Sequence, residues 1–194
     1  QDLLRWRIAA IPDTFGVKFM FSIRNQTIND QAPVDHLLDL SFGADRKTKS
    51  AYTLRQGLVA VPNLALAAEQ EGELVGSIQF WPLKLDLVEG SVAGTGIVLL
   101  GPLAVHPERQ NLGLGQALIG EGLKRAAVLG YCGAILVGDP AYYGRFGFDH
   151  GCVAGLTLSA EPVQSRVQGY ELTDGSLAGL RGKIISAGNS ISDD

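Results

Sequence analysis

The feature that most constrains the fold is a strand, a glycine loop and a helix that follow one another directly. The run Gly96–Val105 is almost continuously apolar, which is typical of a strand buried on both faces. Gln110, Gly113 and Gly115 then lead into a segment in which apolar or small residues recur every three or four positions, as in an amphipathic helix. A second apolar run occupies residues 132–140. This order predicts a parallel strand–helix–strand unit.

The glycine loop points to an anionic ligand. Glycines at the start of a helix leave its first backbone N–H groups accessible, and the partial positive charge there attracts phosphate. A P-loop would continue with Lys and Ser or Thr, whereas this chain has Gln116 and Ala117. A dinucleotide fingerprint would place a third glycine at Leu118. The remaining pattern, Gln-x-x-Gly-x-Gly, indicates a loop whose amides wrap a diphosphate.

This pattern resembles the acetyl-CoA loop of the GNAT superfamily of N-acetyltransferases. In that family a short helix carries a tyrosine five residues before the phenylalanine of a Gly-Phe pair, and Tyr143 stands five residues before Phe148. The resemblance covers about residues 20–182 and is strongest over 96–148. It implies an α/β (α+β) fold, with a mixed, mostly antiparallel sheet, a splayed parallel central strand pair and flanking helices.

The resemblance also implies acetyl-CoA as the co-substrate. Gly101-Pro102 predicts a bulge in the central strand, because proline cannot donate a sheet hydrogen bond. In the family, the freed main chain of this strand pairs with the pantetheine arm. At Asp139 the family often has an asparagine, so we expect contact there through the backbone. The residues that the resemblance assigns to the cofactor are Leu103, Ala104, Val105, Gln110, Asn111, Leu112, Gly113, Leu114, Gly115, Gln116, Asp139, Tyr143 and Phe146.

Acetyl transfer to nitrogen requires a neutral amine, an N–H aimed at the oxyanion and a proton donor for the departing thiolate. The resemblance places the N–H at the amide of Val105 and the proton donor at Tyr143, with Tyr142 as the alternative. Where several family members carry a strand glutamate as the base, residues 97–100 are all apolar. The open alternatives are an amine of low pKa, a slow enzyme, or a more distant base acting through water. The candidates for such a base are His106, Asp139, Glu69 and Glu73.

Two functions fit these residues. The favoured one is acetyl-CoA-dependent N-acetyl transfer to an amine of a small molecule or protein, by direct transfer, because no cysteine or serine stands where an acyl-enzyme would be built. The other is a non-catalytic acyl-CoA-binding module of the same fold, which the missing strand carboxylate favours and Tyr143 disfavours. A weaker third reading is an enzyme that uses a longer acyl-CoA. His36 and His150 have no metal-ligand spacing, so no metal is expected.

Composition limits the partners. The net charge of −4 does not favour a nucleic-acid partner, and no apolar run reaches the eighteen residues of a membrane span. Two cysteines do not suggest a disulfide framework, so a cytoplasmic enzyme is expected. A homodimer paired through the terminal strands would be in keeping with the fold.

The sequence predicts a single domain between two terminal segments. We expect an N-terminal extension over 1–19, with Met20 as the native start, a single acetyltransferase domain over 20–186, and a flexible tail over 187–194. Within the domain, the expected elements are a first strand at 20–24, helices over 33–42 and 46–56, a hairpin of strands 64–70 and 73–85, and closing strands 155–159 and 166–172.

The basic residues near position 50 and the aromatic residues near position 81 are expected to have structural roles. Lys47, Lys49 and Arg55 are expected on a solvated helix face, with a contact to the 3′-phosphate of CoA as the less favoured alternative. Trp81, in the sequence Phe-Trp-Pro, is expected to pack in the core or at a sheet edge, with a place in the acceptor pocket as the alternative.

Overall fold

A computed structural model of the protein describes residues 21–89 and 96–188. The expectations for residues 1–19, Met20 and 189–194 lie outside these ranges. The described strands are β1 (Ser22–Asn25), β2 (Leu66–Gln70), β3 (Glu73–Leu87), β4 (Ile97–Val105), β5 (Gly133–Val137), β6 (Leu156–Thr157), β7 (Val167–Glu171) and β8 (Gly182–Ser186). The α-helices are α1 (Gln31–Phe42), α2 (Ser50–Thr53), α3 (Leu114–Val128) and α4 (Pro140–Tyr143).

The strands form one mixed sheet in the order β1-β2-β3-β4-β5-β7. All neighbours along this path are antiparallel except β4 and β5, which are parallel and are connected by α3. The outer half of β3 pairs with β8, which in turn pairs with β6. This topology confirms the expected fold class, including the parallel central pair.

The β2–β3 hairpin has the local chemistry that the sequence suggested. Glu71 and Gly72 connect the strands with φ values of 53° and 85°. Two successive residues with positive φ form the tight turn that matches the natural twist of a hairpin, and glycine adopts this conformation at no steric cost. The hairpin prediction is therefore confirmed.

The helix expected over residues 46–56 is wrong. A 3-10 turn at Ala44–Thr48 is followed by extended Lys49 (φ −74°, ψ 146°) and then by the four-residue α2. The Ser50 hydroxyl donates to the Glu161 carboxylate over 2.6 Å, and the Thr48 hydroxyl donates to the Asp45 carbonyl over 2.8 Å. These side-chain bonds compete with a continuous helix.

The closing strands also differ from the expectation. Residues 155–159 contribute only the two-residue β6, whereas β7 agrees with the strand expected at 166–172. The sequence analysis missed β8, whose five residues pair with residues Leu83–Leu87 of β3. This outer pairing extends the sheet beyond the point where β3 leaves β4.

Helices cover both faces of the sheet. On one, called here the α3 face, a Cβ on Gly122 would lie only 2.4 Å from the ring of Phe80, so glycine is what lets α3 approach β3 closely. On the opposite face, called the α1 face, α1 packs against Ala104, and Leu54, directly after α2, packs in a cluster with Leu99 and Ile135. The centre of the sheet is therefore buried on both sides.

Candidate active site

The parallel strands β4 and β5 separate part-way along their length. They pair only from Ile97–Gly133 to Leu99–Ile135, although β5 continues to pair with β7 as far as Val137. Opposite β3, the register shifts at residues 101–102, as expected of a bulge at Gly101-Pro102. The expected splay is confirmed, and it opens a wedge between the two strands.

The alternation of the β3–β4 ladder decides which peptide groups face this wedge. The His106 amide donates to the Val75 carbonyl over 2.9 Å, so that pair is a hydrogen-bonded one. Because hydrogen-bonded and non-bonded pairs alternate in an antiparallel ladder, the peptide groups of Val105 and Leu103 point away from β3. Those of Ala104 point toward β3. Two of the three expected main-chain positions therefore face the wedge.

The carbonyl of Val105 lies close to two polar side chains. The Ser41 hydroxyl of α1 is 3.4 Å from this oxygen, and the Gln110 side-chain nitrogen is 3.5 Å from it. Both distances are long for strong hydrogen bonds. The loop and α1 thus meet at the open end of β4.

Helix α3 begins at the mouth of the wedge. Gly113 precedes it with φ 78°, and the first backbone bond of the helix runs from the Ala117 amide to the Gly113 carbonyl. No side chain caps this end, so the amides of residues 114–116 have no partner within the helix. Arg109 lies four residues before Gly113 in the sequence. Its Nε atom is buried and has no hydrogen-bond partner within the described residues. Free amides and an unpaired guanidinium nitrogen fit a phosphate-bearing group.

Tyr142 and Tyr143 have different surroundings. The Tyr142 hydroxyl lies at the start of α3, only 2.6 Å from where a Cβ on Gly115 would be. The Tyr143 ring lies against Gly138, directly after β5, and burial raises the pKa of its phenol above the usual 10. Burial also raises the pKa of Tyr142, and nearby Arg145 partly offsets this. Tyr143 is thus on the β5 side of the wedge and Tyr142 on the helix side.

The rings of these tyrosines belong to one aromatic cluster. Tyr142 packs edge-on against Tyr143 and Phe146 with ring centroids 4.9 and 5.3 Å away, and Tyr143 packs against Phe148 at 6.0 Å. The Arg145 guanidinium lies 4.8 Å from the Tyr142 ring centroid. This packing restricts how far either phenol can move.

Comparison with known proteins identifies the family. The profile of the family described as "Acetyltransferase (GNAT) domain" matches residues 22–151. The chain belongs to the GNAT family of N-acetyltransferases. It is 31% identical over 162 residues to the uncharacterized N-acetyltransferase YhbS of Escherichia coli (strain K12), which covers 84% of this chain and 93% of YhbS.

Solved structures of GNAT proteins agree with this assignment. The crystal structure of YhbS from Escherichia coli in complex with CoA superposes with a TM-score of 0.71 at 31% identity, over 86% of this chain and 89% of that one. A GNAT family acetyltransferase from Brucella melitensis in complex with acetyl-CoA gives a TM-score of 0.63 at 26% identity, over 88% and 97%. Within residues 21–89 and 96–188 of this acetyltransferase, no helix is long and apolar enough to cross a membrane.

Three of the four candidate bases of this acetyltransferase have other partners. The Asp139 carboxylate accepts from the Ala141 amide over 2.9 Å and so caps α4. Glu69 accepts from Arg24 over 2.8 Å. His106 Nδ1 lies 3.4 Å from the Glu108 amide and caps the following 3-10 turn. Glu73 begins β3 at the hairpin turn.

The expectation of a solvated Arg55 is wrong. Its Nε donates to the Ala51 carbonyl over 3.0 Å, and its guanidinium carbon lies 5.7 Å from the Tyr52 ring centroid and 5.9 Å from that of Trp81. Burial lowers the pKa of Arg55 to about 10. The sequence signal that could have indicated this packing of Arg55 was Tyr52. The two residues are three positions apart, which puts both on one side of a helical turn. Arg109 belongs to the loop over residues 109–116 that was expected to contact phosphate, but it was not assigned to the cofactor individually, because it precedes the glycine pattern.

Proposed function

We propose that this acetyltransferase transfers the acetyl group of acetyl-CoA directly to the amine of its acceptor, with the pantetheine arm in the wedge and the diphosphate at the start of α3. The observation that carries this proposal is the position of the wedge, which opens next to an uncapped helix N-terminus. A pantetheine arm offers amide groups that can pair with a free strand edge, as an added strand would. The diphosphate is matched by the amides of residues 114–116 and by Arg109.

The main chain of β4 supplies the oxyanion site in this proposal. The Val105 amide points into the wedge, where it can donate to the oxygen of a tetrahedral intermediate. A fixed N–H aimed at the developing charge stabilises the transition state without reorganisation. Leu103, two residues earlier, presents its peptide groups on the same side for the pantetheine arm.

Tyr143 is the proposed proton donor. The neutral amine nitrogen bonds to the acetyl carbon, the C–S bond breaks, and the thiolate takes the phenol proton. The nitrogen sheds its extra proton to solvent as the amide forms, and the phenolate of Tyr143 takes a proton back from solvent. The raised pKa of Tyr143 keeps the phenol protonated until the thiolate departs. Tyr142 is assigned to the diphosphate end, because its hydroxyl lies at Gly115.

The amine is proposed to lose its own proton to solvent before it attacks. Supporting this, Asp139, Glu69 and His106 all have other hydrogen-bond partners, and the strand position of the usual glutamate is apolar. We further propose a cytoplasmic location, which is compatible with a chain that has only two cysteines.

Calorimetric titration of acetyl-CoA, CoA and NADH tests the cofactor site. We expect acetyl-CoA and CoA to bind and NADH not to bind. Gln116→Glu adds a negative charge in the first turn of α3 and should weaken CoA binding about tenfold, since unit charges about 6 Å apart at an effective dielectric of about 40 repel by about 1.4 kcal/mol. Gln31→Glu, the same change in the first turn of α1, should leave binding unchanged. Equal binding by both variants would contradict the placement of the diphosphate.

A further inference from the structure

Arg55, Tyr52 and Trp81 form a cluster, called here the Arg55 cluster, beside the wedge. Trp81 of β3 pairs in register with Leu99 of β4, and Leu99 pairs with Ile135 of β5 in the last pair before those strands separate. Since neighbouring strands lie about 4.8 Å apart, the backbone of Trp81 is about one strand spacing from Leu99, at the closed end of the wedge. Trp81, Leu99 and Ile135 belong to the hydrophobic cluster on the α1 face of the sheet, on the opposite side from α3.

The charge of Arg55 is not neutralised within the described residues. Four other described arginines have carboxylate partners: Arg24, Arg46, Arg125 and Arg166 each form an ion pair. The charged or ionisable groups that influence Arg55 are instead Tyr52 and the cation of Arg46. A half-buried guanidinium without an anion is costly, because it has lost part of its hydration.

Trp81 adds a second unsatisfied donor. Its indole Nε1 is buried and has no hydrogen-bond acceptor within the described ranges. An indole nitrogen only donates, as does a guanidinium, and buried donors normally have a partner. The Arg55 Nε donates to the Ala51 carbonyl, but its terminal nitrogens and the Trp81 indole nitrogen have no acceptor within the described residues.

We propose that the acceptor amine carries a carboxylate, and that the Arg55 cluster binds this carboxylate while the amine reaches into the wedge. A carboxylate matches the planar fork of a guanidinium in two parallel hydrogen bonds. The rings of Tyr52 and Trp81 flank the cation, with centroids 5.7 and 5.9 Å from the guanidinium carbon. One cation balances the single charge of a carboxylate, whereas a phosphomonoester carries nearly two. The proposal rests on the proposed transferase function and names its substrate class.

Turnover of matched amine pairs tests this specificity. Each pair consists of an amino acid and its carboxamide, and the release of CoA thiol is measured with saturating acetyl-CoA. We expect wild-type kcat/KM to favour the carboxylate member, and Arg55→Gln to lower it for that member by roughly 10- to 100-fold while the carboxamide changes little. Lys124→Gln, which removes an exposed cation from α3, should leave both unchanged. Equal turnover of acid and amide in the wild type would overturn the proposal. Phosphate-bearing amines preferred over both would do so as well.

A second measurement does not depend on turnover. The indole N–H signal of Trp81, assigned by Trp81→Phe, is followed by NMR while N-acetylated amino acids or their amides are added to the CoA-loaded protein. We expect the acids to shift the signal in the wild type and in Lys124→Gln but not in Arg55→Gln. No shift, or equal shifts with amides, would overturn the carboxylate site. If CoA itself failed to bind, the transferase proposal would fail instead.

Discussion

The position of Tyr143 can be tested through the glycine on which its ring lies. In Gly138→Ala the new Cβ would be 2.3 Å from Cε2 of Tyr143 and 2.5 Å from Cδ2. Carbon atoms in contact normally lie about 3.5–4.0 Å apart, so the ring must retreat by about 1.2–1.7 Å. Tyr142 and Phe148 pack against the same ring and oppose this movement.

A displacement of this size should separate the phenol from the thiolate it protonates. Misplacing a reacting group by about 1 Å costs about 100-fold, and general acid catalysis contributes about 10²- to 10⁴-fold. We therefore expect kcat of Gly138→Ala to fall about 100-fold, measured as CoA thiol release at saturating substrates. The free energy of unfolding should fall by about 1–3 kcal/mol, the usual cost of overpacking.

Gly144→Ala is the matched control, because it lies in the same loop, directly after Tyr143. Its backbone is helical (φ −58°, ψ −29°), and a Cβ there would meet no atom within 4 Å. It should retain kcat. The double variant Gly138→Ala with Tyr143→Phe should be no slower than Tyr143→Phe alone, since both changes act on one phenol. A folded Gly138→Ala with wild-type kcat, or additive losses in the double variant, would contradict the position and role of the Tyr143 phenol.

Three further outcomes are expected. Because burial raises the pKa of Tyr143 above 10, kcat/KM should rise as the amine loses its proton and should not decline below pH 10; a decline centred near pH 8 would contradict the assigned acid. Asp30→Asn should lower the free energy of unfolding in urea by about 2 kcal/mol at pH 7, because Asp30 accepts two hydrogen bonds from Arg24. These bonds lower the pKa of Asp30, so its contribution is fully present above about pH 4 and declines progressively as the pH falls below that value. The difference between variant and wild type should decline in the same way. Gly120→Ala, on the exposed side of α3 with open space around its Cβ, should raise the free energy of unfolding by about 0.5–1 kcal/mol, and a loss of stability there would contradict the packing of α3.

The centre of the fold was predictable because its signals are local. The apolar run of β4, the glycines before α3 and the three- to four-residue spacing within α3 each determine one element without reference to distant residues. The bulge in β4 followed from Gly101-Pro102, since a residue without an N–H cannot continue the ladder there, whereas the separation of β4 from β5 was implied by the family resemblance.

The acceptor side was less predictable because distant contacts determine it. The break before α2 depends on the bond between Ser50 and Glu161, which are 111 residues apart. Strand β8 exists because the outer half of β3 offers a free edge, and nothing within its five residues indicates this. The burial of Arg55 depends on Trp81 of β3, so helical periodicity around residue 55 could not reveal it.

We propose that this wedge both binds acetyl-CoA and catalyses transfer through Tyr143. The most direct measurement is the amine-dependent release of CoA thiol by wild type and Tyr143→Phe, with acetyl-CoA affinity measured calorimetrically on the same samples. We expect thiol release matched by acetylated amine in the wild type, at least about 100-fold slower release in Tyr143→Phe, and similar Kd values for acetyl-CoA in both. Tight acetyl-CoA binding without thiol release for any amine would indicate a non-catalytic binding module, and full turnover in Tyr143→Phe would remove the assigned acid.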